Sequence, residues 1–269
     1  LLVAQNLPRH HVSDLLTGPT AQTFFGQSVA FGDLNADGVP DYAVNQILQF
    51  GIFNSTYRVL SGQDGQPLYT INGGVISGPI INAGDMNGDG VSAIVATTPA
   101  MISTTGTFGT SPAKISLLDG PSGNVIWSVD AAPPTSIEYG VGRPVMLADL
   151  DGDGVRDLAT LTFGQVGLFG SGNLLPTRVR WLSGADGTFI HESIDAVLIV
   201  RAIANAGDTN GDGFDDLLVT APASPFVAPA AGGASIVSGA DFSYLRFFNG
   251  DAPNDNFATG GKGAGDVDG

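Results

Sequence analysis

Asp149-Leu150-Asp151-Gly152-Asp153-Gly154-Val155-Arg156-Asp157 carries carboxylates at its first, third, fifth and ninth positions. Acids packed this densely repel one another, and such a cluster is tolerated when a hard divalent cation takes the oxygens as ligands. Gly154, directly after the third acid, lets the backbone turn sharply enough for the carbonyl of Val155 to face the same ion. The stretch reads as a calcium loop.

The pattern recurs along the chain. It appears as Asp33-Leu-Asn35-Ala-Asp37-Gly38-Val39-Pro-Asp41, as Asp85-Met-Asn87-Gly-Asp89-Gly90-Val91-Ser-Ala93 and as Asp208-Thr-Asn210-Gly-Asp212-Gly213-Phe214-Asp-Asp216, then as Asp266-Val-Asp268-Gly269. The expected ligands are the side chains at positions one, three, five and nine and the carbonyls of Val39, Val91, Val155 and Phe214. The first aspartates stand 52, 64, 59 and 58 residues apart, a period that suits a supersecondary unit of about four strands. Four to five structural calcium sites are expected.

Around each loop the sequence alternates in the manner of β-strands. Tyr42-Ala-Val44 leaves the first loop as an apolar run, and Tyr57 to Leu60 leads through Ser61-Gly62-Gln-Asp64-Gly65 to Leu68–Ile71, a hairpin signal. The same hairpin is spelled by Ile115–Leu118 with Val125–Trp127, by Val179–Leu182 with Phe189-Ile190, and by Ile236-Val237 with Tyr244-Leu245. Thr97 to Pro112 and Ala221 to Gly233, rich in Thr, Ser, Pro, Ala and Gly, read as surface loops inside the period. Repeats are placed near residues 24–80, 81–140, 141–200, 201–256 and 257–269, the last incomplete.

Two other calcium motifs share this opening and fail on position or period. An EF-hand requires a bidentate Glu at position twelve between helices, and position twelve here is Val44, Ala96, Thr160 and Val219. Calcium β-helices repeat every nine residues in tandem, whereas this motif appears once per long unit.

Composition narrows the function. The formal charge is −16, with Glu138 and Glu192 the only glutamates among 26 acids, so the acidity is concentrated in the aspartate loops. Ten scattered Lys and Arg form no cluster to neutralise phosphates, which argues against a nucleic-acid partner. Cysteine is absent, so neither disulfides nor thiolate metal sites are available. The longest apolar run, Ala196–Val200, is far too short to span a bilayer.

Phe25-Gly26 before the first loop, Tyr139-Gly140 before the third, Phe257 before the last and Thr220-Ala221-Pro222 after the fourth resemble the FG-GAP repeat of integrin α-subunit head propellers and their bacterial relatives. The resemblance covers nearly the whole chain from Phe24. It implies an all-β fold, a β-propeller of four-stranded blades with a calcium loop joining strands in each. Family propellers usually have seven blades, so about five repeats imply part of a larger ring. Ala93 departs from the pattern by removing the ninth-position ligand, and the aromatic-Gly pair is missing from the segments 74–81 and 197–204.

The functional expectation is an extracellular or cell-surface module, the bacterial periplasm included. It would use variable loops for binding, adhesion or self-assembly with a protein or carbohydrate ligand. The alternative is a propeller-fold enzyme such as a calcium-dependent polysaccharide lyase or a hydrolase. Catalytic candidates are thin: His191 and Glu192 are adjacent on a strand and point to opposite faces. Arg143, Arg156 and Arg201 read as surface charges, and Trp127 and Trp181 as packing between blades. Arg9-His10-His11 reads as an exposed turn, and Asn54-Ser-Thr56 as a chance match to a glycosylation acceptor.

Overall fold

The computed structural model describes residues 24–47, 55–72, 79–98, 112–131, 140–163, 177–194, 200–222 and 231–263. Asp266 and Asp268, His10 and His11, Asn54 and Tyr139 lie outside the described residues.

The described chain is all β, in four antiparallel meanders that follow the repeat period. The first sheet is β1 (Phe24–Ala30), β2 (Tyr42–Ile47), β3 (Ser55–Leu60) and β4 (Pro67–Asn72), and the second is β5 (Ile80–Gly84), β6 (Ala93–Thr98), β7 (Lys114–Leu118) and β8 (Val125–Asp130). In the third, β9 (Gly140–Val141) and β10 (Val145–Met146) both pair with β11 (Leu158–Phe163), which is followed by β12 (Arg178–Leu182) and β13 (Phe189–Ile194). The fourth is β14 (Ala202–Gly207), β15 (Asp216–Ala221), β16 (Gly233–Val237) and β17 (Tyr244–Asn249). The third sheet is a four-stranded blade with a broken first strand. Pro144 has no N–H to give to the ladder, and the interruption falls at Gly142-Arg143-Pro144.

A meander puts the connection between strands one and two at the same end of the blade as that between strands three and four. Every described acidic loop therefore stands beside its blade's own hairpin turn. These turns span residues 61–66, 119–124, 183–188 and 238–243, six residues each. The connection between strands two and three lies at the opposite end. There the lengths vary, with residues 48–54, 99–113, 164–177 and 222–232 between the strands.

Each core cluster is shared by two successive sheets. Phe31, Leu34, Ala43, Tyr57 and Val59 of the first pack with Ile80, Ile94, Ala96 and Leu118 of the second. Ile81, Val95, Ile115, Leu117 and Trp127 of the second pack with Val141, Leu158 and Leu182 of the third. Leu161, Val179 and Trp181 of the third pack with Ile203, Leu217, Val219 and Val237 of the fourth. A strand whose alternate faces both meet a neighbouring sheet reads as a nearly continuous apolar run, which is why β6 is buried along five of its six residues. The tryptophans pack between blades as expected. Trp127 is buried and donates Nε1–H to the carbonyl of Gly184 at 2.8 Å, and Trp181 is fully buried.

Candidate metal centre

The acidic loops fold as a set of backbone-to-carboxylate hydrogen bonds that repeats from blade to blade. The first aspartate accepts the amide of the sixth-position glycine in every described loop, Gly38 to Asp33 at 2.7 Å, Gly90 to Asp85 at 2.9 Å, Gly154 to Asp149 at 2.8 Å and Gly213 to Asp208 at 2.9 Å. The fifth aspartate accepts the amide of the seventh residue, Val39 at 2.8 Å, Val91 at 2.7 Å, Val155 at 2.7 Å and Phe214 at 2.9 Å. These bonds curl the loop around the side chains of its first, third and fifth positions. The sixth-position glycines make that curl with φ between 85° and 93°, where a side chain would be strained.

In the third loop the inward side chains are all acids. One carboxylate oxygen from each of Asp149, Asp151 and Asp153 lies within 4.8 Å of the others. The other loops place asparagine at position three, and its side-chain amide donates to the fifth aspartate. Asn35 reaches Asp37 at 2.9 Å, Asn87 reaches Asp89 at 2.9 Å and Asn210 reaches Asp212 at 2.7 Å. An amide donor relieves the crowding of two carboxylates, and in the third loop that donor is missing. The ion pairs of Lys114 with Asp130 and of Arg178 and Arg180 with Glu192 are made in the strands instead. An all-oxygen cluster of this kind, lacking the asparagine donor of the other loops, fits a hard cation.

Hydrogen bonding already favours the ionised form of several loop acids. The Asn35 amide holds Asp37 below the ordinary carboxylate range, and the amides of Gly90 and Gly213 do the same for Asp85 and Asp208.

The ninth aspartate has a duty that sequence reasoning missed. Asp41, Asp157 and Asp216 are buried, and each ties the loop to the hairpin turn of its own blade. Asp157 accepts the amides of Leu150 at 2.7 Å and Gly184 at 3.0 Å. Asp41 takes those of Leu34 at 2.7 Å and Gly62 at 2.9 Å, and Asp216 those of Thr209 at 2.9 Å and Gly239 at 3.1 Å. Burial pushes the Asp157 carboxyl up from its usual value, so the two amides hold a charge that desolvation opposes. The turn glycine is pressed against the loop: a Cβ on Gly184 would stand 1.8 Å from the Arg156 carbonyl oxygen, and one on Gly62 1.9 Å from that of Pro40. The recurrent Ser-Gly pair in the sequence was the available signal for this contact. In the second blade Ala93 is buried in place of the ninth acid, and Asp119 accepts instead from Ser122 within its own turn.

The remaining polar candidates are committed to packing. Glu192 pairs with Arg178 and Arg180, while His191 stacks on Phe242 of the next blade with ring centroids 4.1 Å apart. Arg143, Arg156 and Arg201 are exposed, as expected of surface charges.

The FG-GAP repeat family model matches residues 200–242, the fourth loop with the strands around it. No curated protein sequence matches the chain. Solved structures of the same fold include the Bacillus licheniformis rhamnogalacturonan lyase PL11, with TM-score 0.55 and 15% identity over 83% of this chain and 42% of that one. The exotype rhamnogalacturonan lyase YesX matches with TM-score 0.52 and 16% identity over 83% of this chain and 41% of its own. Rhamnogalacturonan lyase YesW matches with TM-score 0.53 and 13% identity over 85% of this chain and 50% of its own. The chain thus spans half or less of the length of these proteins, and at such identities the likeness is one of fold.

Proposed function

We propose that this FG-GAP repeat protein, folded as β-propeller blades, is a calcium-stabilised binding module that works outside the cell, in adhesion or surface assembly. The observation that carries the metal assignment is the convergence of Asp149, Asp151 and Asp153, one ligand oxygen from each lying within 4.8 Å of the others. Asp85, Asn87, Asp89 and the corresponding residues of the first and fourth loops would hold further ions, more weakly in the second loop for want of a ninth acid. Bound calcium neutralises the loops and adds rigidity at the uniform end of the blades. Sites of this class suit the calcium concentrations found outside cells.

Recognition is assigned to the other end, where the connections between second and third strands differ in length and composition from blade to blade. Its ligand is a carbohydrate or a protein. A second reading, a propeller-fold polysaccharide lyase, is favoured by the rhamnogalacturonan lyases among proteins of similar fold. Rhamnogalacturonan therefore serves as the probe for both. Retention of the calcium-loaded protein on immobilised polysaccharide, with no unsaturated sugar released, is the result expected of a binding module. Release of unsaturated product would replace that reading with the lyase, and absence of both would direct the recognition end to a protein ligand.

A further inference from the structure

The hairpin turns of the second, third and fourth blades each receive one side chain from the outer strand of the blade before. In the second and third blades the receiving position is a glycine, Gly123 or Gly187, whose amide closes the turn on Asp119 O or Ser183 O. A Cβ on Gly123 would stand 2.6 Å from the Tyr69 ring and one on Gly187 2.7 Å from the Trp127 ring, so glycine makes room for these aromatics. Both are then fastened to the same turn by a hydrogen bond, Tyr69 to Gly120 O at 2.5 Å and Trp127 to Gly184 O at 2.8 Å.

The fourth blade reverses the arrangement. The equivalent turn position, marked by the bond from its amide to Ser238 O at 3.1 Å, is Phe242, held at φ 60° where a side chain is strained. The residue it receives is His191, which stands opposite Trp181 as Tyr69 stands opposite Val59 and Trp127 opposite Leu117. The His191 and Phe242 rings stack with centroids 4.1 Å apart and planes 4° from parallel. Fully buried Trp181 completes the cluster, edge-on to Phe242 at 5.2 Å and tilted against His191 at 5.4 Å. A strained residue persists where its surroundings enforce the conformation. Here the enforcing partner is the one side chain of this register that titrates near neutrality.

The charged groups on the elements packed around His191 are committed to other partners. Arg178 and Arg180 of β12 pair with Glu192 of β13, Asp241 on the turn accepts the Ser243 amide, and Asp216 of β15 accepts the Gly239 amide. Burial lowers the proton affinity of His191, and Glu192 beside it offsets part of that effect.

We propose that the contact between the third and fourth blades is a pH-sensitive latch: neutral His191 holds the strained Phe242 turn closed, and its protonation in mildly acidic solution releases that turn. Because folding shifts the histidine downward, the stability contributed by the latch is complete above pH 6.5, its ordinary value, and is lost as pH falls below it. Tyr69 and Trp127, which close the other two interfaces, gain no proton in this range. The latch is independent of the calcium and ligand readings.

The test compares the thermal midpoint of the full chain from about pH 8 to about pH 5, at fixed calcium, in the wild type and in His191→Phe, which keeps a ring on Phe242 and does not titrate. His10 and His11 are present in both proteins, so their effects cancel. The wild-type midpoint should fall by at least about 2 °C below pH 6.5, and that of the variant by less than half as much. Equal falls would overturn the proposal. A local readout decides the matter even where His191→Phe fails to fold. In Trp127→Phe, Trp181 is the one remaining indole, and an imidazolium ring 5.4 Å away quenches its emission. Quenching with a midpoint below pH 6.5 is the expected result. A midpoint at or above 6.5, or emission that does not change with pH, would overturn the latch.

Discussion

Each loop position is set by one local constraint, and single substitutions separate them. Gly154 turns at φ 91°, so Gly154→Ala forces a side chain into the left-handed region and should cost about 1–2 kcal/mol in denaturant unfolding. The fourth loop position gives the converse case. Gly88, Gly152 and Gly211 occupy it at φ near 80°, whereas the first loop holds Ala36 there at φ 61°. Ala36→Gly should therefore stabilise by up to about 1 kcal/mol, the relief of strain exceeding the entropy that glycine adds to the unfolded chain. Asp157→Ala leaves the amides of Leu150 and Gly184 without their acceptor and should cost about 2–4 kcal/mol, with or without calcium. A loss confined to the calcium-loaded protein would instead make Asp157 a ligand alone. The alternation of acids was legible in sequence, because three carboxylates at every second position repel one another unless a cation is held among them. The clamp formed by the ninth acid was not, since its partners Gly62, Gly184 and Gly239 lie more than twenty residues away and the tie is made only when the hairpin folds back.

At the scale of the strand and turn, sequence and structure agree closely on the hairpins. Alternating β-branched and aromatic residues on both sides of a Gly-bearing turn specify strand, register and turn together. The broken first strand of the third blade was less visible, because Gly142 to Pro144 interrupts a run that otherwise reads as one strand. Packing between blades is carried by a few long contacts from outer strands. Trp127→Phe keeps an aromatic ring and deletes the bond to the Gly184 carbonyl, at an expected cost of about 1 kcal/mol, while Trp127→Ala should cost about 3–5 kcal/mol. Similar losses in both variants would mean that the hydrogen bond, rather than the buried ring, holds the second and third blades together.

For the whole molecule, acid acts on the same loops to which we assign calcium. The carboxyls of Asp37, Asp85 and Asp208 are lowered from 3.8 in the folded protein, so they contribute stability above that pH and lose it as pH falls through their folded values. Asp157 is raised, so its contribution has the opposite sign and diminishes as pH rises above 3.8. The metal-free protein should accordingly show an acid limb below pH 3.8 that Asp85→Asn with Asp208→Asn flattens, measured as thermal midpoint against pH. Calcium bound as proposed would extend this limb to lower pH, because a cation held among the loop carboxylates competes with protons and depresses their folded values further.

We propose that calcium held in the acidic loops keeps the blades together. It is tested most directly by the thermal midpoint of the wild-type protein in calcium and in excess chelator, with Asp153→Ala and Asp89→Ala measured alongside. A marked fall on chelation, with a larger loss for Asp153→Ala than for Asp89→Ala, is the predicted result. A midpoint unchanged by chelator would contradict it.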